Sequence, residues 1–147
     1  SYPYPAKLPS FLAQLGLLEL ERWPSERGQR KLMLKRYLKI MENSKMAPYI
    51  PKTYKNMDSE IVPLRFVFTH PAAEKMKRMM AKYLDINQIL FNAPIVCCPD
   101  GPESLGYHYG DCPISEKTCS EIVNWPCIIP IEYQADMLDR FQQIVNS

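Results

Sequence analysis

Gly110-Asp111-Cys112-Pro113-Ile114-Ser115-Glu116, followed by Val123-Asn124-Trp125-Pro126-Cys127-Ile128-Ile129-Pro130, is the most densely punctuated part of this chain. Ser115 is placed to cap a helix running through Asn124, because its hydroxyl can accept an unpaired N–H of the first turn. Pro126 then forces an extended exit, so residues 127–129 read as a short strand bounded by Pro130. Beyond it, Met137, Leu138, Phe141, Ile144 and Val145 recur on one stripe of a final helix over about 132–146.

Upstream, Pro3, Pro5 and Pro9 keep residues 1–9 extended. Ser10 is a plausible cap for a first helix that carries Phe11, Leu12, Leu15 and Leu18 along one stripe. Pro24 removes a helical hydrogen bond, which predicts a kink or short break over 23–25, with helix resuming over 26–41. The basic residues between Arg27 and Lys39 form a solvated face, since Leu34, Leu38 and Met41 recur between them at helical spacing. Residues 43–60 read as a surface connection.

Leu64, Phe66 and Phe68 alternate with Arg65 and Val67, the period of a strand, and Pro63 fits at its start. His70-Pro71 then opens a helix, with His70 or Thr69 at its cap and Ala73, Met76, Met80 and Tyr83 on its buried face. Residues 86–92 form a second strand candidate, and 94–109 are irregular. This order predicts an α+β fold: a small, mostly antiparallel sheet with helices packed on one face, preceded by a long kinked N-terminal helix. Residues 1–147 are read as a single domain.

Composition narrows the function. With 18 basic and 16 acidic residues, the chain has no strong field for a nucleic acid or a membrane surface. No apolar run approaches the ~20 residues that a membrane helix needs. Five cysteines without a C-x-x-C spacing read as reduced, structural thiols in a cytoplasmic protein. There is no G-x-G-x-x-G, P-loop, H-E-x-x-H or G-x-S-x-G, and neither His70 nor His108 sits in a nucleophile pattern.

The order of these elements, and particular residues within it, resembles the C-terminal domain of the DegT/StrS-type sugar aminotransferases. Ala13, Gly16, Leu17, Leu20 and Glu21 are similar to that family's A-A-x-G-L-x-Q-L-E helix, and residues 26–37 to its Arg-rich continuation ending in tyrosine. Residues 64–69 and 71–84 take the place of its strand and short helix, with Asp85-Ile86 standing for Gly-Ile. Residues 110–116, 124–130 and the last helix resemble its L-P-x-[ST]-E and L-x-L-P-x-x-P segments. Tyr4 matches the aromatic of the family's G-Y-N-x-R-M, while Pro5 replaces asparagine and Lys7 replaces arginine. At the second strand, Gln88-Ile89-Leu90-Phe91-Asn92 stands where the family often has T-R-x-H/W-Y.

The resemblance implies a fold-type-I enzyme dependent on pyridoxal phosphate (PLP), transferring an amino group from a donor such as glutamate to a nucleotide-linked keto-sugar. The lysine that holds PLP lies in a larger N-terminal domain of such proteins, so this polypeptide alone is expected to be inactive and to hold no cofactor. Its expected partners are that catalytic domain and a second subunit of a homodimer. Lys7 and Tyr4 are the expected cofactor-proximal residues, and Asn92 and His108 the substrate-proximal ones. Other readings are a non-catalytic α+β interaction module using the apolar stripe of the first helix, and a degenerate aminotransferase homologue. A metal-binding domain built on Cys112, Cys119, Cys127 and His108 is a further one.

Overall fold

A computed structural model of the chain describes residues 8–55, 61–84, 91, 93–95 and 98–147. The expected α+β class holds: a two-stranded antiparallel sheet is surrounded by helices, and a long helix leads the chain. That helix, α1 (Ser10–Glu42), runs 33 residues without interruption. Pro24 lies inside it and does not break it, because a proline deletes only its own N–H and the turns on either side remain paired. Ser10 is the first helical residue rather than the cap, and that position belongs to Pro9.

The second half of α1 faces the core through Met33, Leu34, Tyr37, Leu38 and Met41, with Lys35 and Lys39 turned to solvent. The connection that follows is more than a surface path. It holds a single 3-10 turn (Ala47–Tyr49) and a short helix α2 (Lys52–Lys55), and it sends Met46 and Ile50 into the core.

β1 (Arg65–Thr69) pairs with β2 (Ile122–Pro126) in the register Phe66 with Trp125 and Phe68 with Val123. Directly opposed residues of an antiparallel pair project to one face, so these four side chains form a single apolar plate. None of them is more than 1% exposed. Tyr37 stacks on Phe66 with ring centroids 5.7 Å apart, and Phe141 from α5 (Gln134–Asn146) closes on Tyr37 at 4.8 Å and on Trp125 at 5.1 Å. Tyr37 also donates its hydroxyl hydrogen to the Pro126 carbonyl at 2.9 Å, tying α1 to the end of β2.

The C-terminal punctuation is placed differently from the sequence expectation. Helix α4 spans Pro113–Glu121, with Cys112 rather than Ser115 at its cap and Pro113 in the first turn, where its missing N–H costs nothing. It stops at Glu121, and the strand covers Ile122–Pro126 rather than residues 127–129. Pairing with β1 decides this: Ile122, Val123, Asn124 and Trp125 are all buried, a continuous burial that a ladder supplies and a helix stripe does not. Pro126, with no N–H to donate, ends the strand instead of preceding it.

Helix α3 spans Ala73–Met80 and buries Ala73, Met76 and Met80, whereas Tyr83 lies beyond it and is exposed. The second strand candidate at 86–92 falls almost wholly outside the described residues. In α5 the expected stripe is present: Met137, Phe141, Ile144 and Val145 are buried and Leu138 is partly so. Among the described residues no helix is long and apolar enough to cross a membrane.

Candidate functional site

Of the residues singled out by sequence, Tyr4, Lys7 and Asn92 lie outside the described residues. His108 is described, and it sits in an exposed turn. Its backbone N–H donates to Asp111 Oδ2 at 2.8 Å, and its ring Nδ1 is 3.9 Å from the same oxygen. The Asp111 N–H returns a bond to the His108 carbonyl at 3.0 Å. His108 is therefore part of a closed turn held by Asp111.

That turn is anchored by a residue the sequence reading passed over. Glu116 is nearly buried in α4, and its Oε1 accepts from the Tyr107 hydroxyl at 2.5 Å and from the Gly110 N–H at 2.7 Å. The carboxylate so clamps both sides of the segment bearing His108, Tyr109 and Gly110, whose φ of 104° suits a glycine. The Tyr107 hydroxyl, and after it the backbone N–H groups of Gly110 and Cys112, hold the Glu116 carboxyl below its usual range, against the opposing effect of desolvation. The same bond raises the Tyr107 phenol. The signal was present as a glutamate one turn after Pro113, but its partners lie six and nine residues back, beyond any helical spacing.

A carboxylate with a depressed folded value stabilises above its unfolded range and loses that contribution as pH falls through the folded value. Glu116→Gln keeps an oxygen for both donors and removes the titration. Urea midpoints at pH 7 and pH 3 are expected to fall less in this variant than in the native chain. Parallel losses in the two proteins would show that Glu116 is not the acid-sensitive clamp.

A second concave feature, about 370 Å³, lies beside α5 and is lined by Tyr83, Pro130, Tyr133, Asp136, Met137 and Arg140 among others. Arg140 Cζ lies over the Tyr83 ring, 3.7 Å from its centroid, and its Nε donates to Asp136 Oδ2 at 2.7 Å. The guanidinium is raised further above its ordinary value by Asp136. Its charge is already matched within the fold, which leaves the cleft an apolar hollow with a self-neutralised rim. The Asp136-x-x-x-Arg140 spacing was legible as an i,i+4 pair, while the Tyr83 platform was not.

A third exposed feature is the first half of α1. Leu8, just before the helix, continues into Phe11, Leu12, Leu15 and Leu18 as one stripe, and all are exposed. Leu17 and Leu20, 61% and 68% exposed, lie away from that stripe because each residue advances ~100° around the helix. Trp23 adds a half-exposed indole. A helical segment apolar on more than one side is one that normally sits inside a larger body.

Two cofactor readings can be set against these residues. PLP requires an amine for its aldehyde and clustered donors for its phosphate. Among the described residues every lysine is at least partly exposed. For a metal, no group of three or more His, Cys, Asp or Glu side chains converges among the described residues. Cys127 is fully buried and its thiol is pushed up to about 12, chiefly by burial, which leaves it a packing residue.

No family model, no curated protein and no solved structure matches this chain.

Proposed function

We propose that this chain is the small C-terminal domain of a DegT/StrS-type, PLP-dependent aminotransferase-like protein. Its parent would transfer an amino group from an amino acid such as glutamate to a nucleotide-linked keto-sugar. In this reading the domain closes one side of the catalytic cleft and adds surface to a homodimer. The lysine that holds PLP belongs to the larger N-terminal domain. Tyr4 and Lys7 then approach the cofactor from this side, and Asn92 and His108 the substrate. The protein is cytoplasmic in this reading, in keeping with thiols at Cys119 and Cys127 that are buried and free.

The observation that carries this reading is the apolar first half of α1, exposed at Phe11, Leu15, Leu17 and Leu20 while its second half builds the core. Such a helix suits a domain that rests on a larger body of the same protein. The element order adds support, with the leading helix, β1, α3, α4 and the final helix in the sequence that the motifs imply. Pro5 and Lys7 favour a homologue with altered cofactor contacts, because proline offers no side-chain amide and lysine no bidentate fork.

The test is made on the longest natural polypeptide that contains these residues. Its purified form is expected to show the visible absorbance of bound PLP, lost on replacing the upstream lysine, and to aminate a nucleotide-linked keto-sugar with glutamate. A polypeptide with no PLP-binding domain, or one that never acquires the band, would overturn the assignment. It would leave an interaction module in its place.

A further inference from the structure

His70 stands where three elements meet. Its backbone N–H donates to the Glu121 carbonyl at 2.9 Å, which fastens the end of β1 to the end of α4. Its own carbonyl accepts the Ala73 N–H at 2.9 Å, which starts α3. The imidazole Nδ1 accepts the Ala72 N–H at 3.0 Å, closing the intervening turn. The sequence placed His70 or Thr69 at the cap of this helix; Ala72 holds that position with no side-chain bond, and the His70 ring closes the turn before it. The same ring meets Tyr49 edge-on, with centroids 4.3 Å apart.

Tyr49 belongs to the 3-10 turn after α1, between Met46 and Ile50, which are buried at 1% and 6% exposure. The imidazole is therefore bonded to one side of a junction and packed against the segment that seals the other. An Nδ1 that accepts a hydrogen bond must be unprotonated, with the ring hydrogen on Nε2. Protonation turns an acceptor into a donor that faces the Ala72 N–H.

We propose that His70 is a proton-operated latch, whose protonation opens the Pro71–Ala72 turn and loosens the Met46–Ile50 segment from the core. The charged groups that face the ring are Lys45, from the turn after α1, and Glu121, from the end of α4; the Tyr49 phenol is the other titratable neighbour. Lys45 opposes the added charge and Glu121 favours it. Burial is the largest influence, and with Lys45 it lowers the imidazole from its ordinary 6.5. The latch is thus fully closed above that value and opens as pH falls through the lower, folded one.

Hydrogen exchange and imidazole shifts, followed by NMR from pH 7.5 to pH 4.5, test this directly. In the native chain, protection of the Ala72 and Tyr49 amides is expected to fall together as pH drops from about 6.5 through the lower folded value, and to level off below it. In His70→Asn the side-chain carbonyl accepts the same i+2 amide, as in an Asx turn, so that protection stays level. An identical pH course in both proteins would overturn the proposal. So would a native His70 that titrates while Ala72 and Tyr49 stay protected, a result that requires no variant to fold.

Discussion

Trp125→Ala is expected to lower the thermal unfolding midpoint by about 10 °C or more, the largest effect of any single core substitution proposed for this chain. The indole is 1% exposed and sits directly opposite Phe66 in the strand pair. It meets Tyr37 edge-on at 6.4 Å and Phe141 at 5.1 Å. Its removal opens a cavity bordered by both strands, α1 and α5 at once, and a void of that size costs about 3–5 kcal/mol. A domain of this class has about 5–15 kcal/mol in all, so a large part of the folded population is at stake. Trp125→Phe retains much of the ring contact and should fall between the two. Tyr37→Phe separates packing from hydrogen bonding: it keeps the ring and leaves the Pro126 carbonyl without its donor, at about 1–3 kcal/mol. Circular dichroism melts of the three variants give the ranking. A Trp125→Ala midpoint within a few degrees of the native one would mean that the aromatic plate does not hold the elements together.

The parts of this fold that were legible are those whose signal is local. Phe66 and Phe68 alternate with less buried neighbours because one face of β1 meets the core, and that alternation is visible in sequence. The α5 stripe at Met137, Phe141, Ile144 and Val145 is legible for the same reason at helical period. The boundary between α4 and β2 was not. Residues 122–125 are apolar or buried in succession, a pattern shared by helix ends and by strands covered on both faces, and only the partner strand decides between them. Pro24 misled in the opposite direction, since a strong local rule proved weaker than the continuity of a long helix. Tyr83 was assigned to the core by spacing, yet α3 ends at Met80 and releases it to carry Arg140. At the site, the Glu116 clamp joins residues that no periodic template links, and only the fold brings them together. His108, chosen by resemblance, proved to be held in a turn by Asp111.

Charging the exposed stripe of α1 is expected to separate folding from association. Leu15 and Leu18 are 54% and 55% exposed, so Leu15→Asp with Leu18→Asp removes little buried area within this chain. Its own stability should change by about 0.5 kcal/mol or less at each position, as for surface sites elsewhere. The effect on the parent protein proposed above is expected to be large. Against a covering domain or a second subunit, two buried and unpaired carboxylates are incompatible with a packed apolar contact. The local sequence adds weight, because Gly16, Pro24 and Gly28 together disfavour helix by about 5 kcal/mol relative to alanine. A segment so poor in intrinsic propensity relies on packing for its helical state, and within the described residues its first half has little. Two measurements decide the matter. In the dimeric parent proposed above, sedimentation should shift toward monomer in the double variant, and the melt of the isolated chain should be unchanged. An unfolded isolated chain would assign the stripe to this domain's own core. An unaltered sedimentation profile would mean that no subunit covers it.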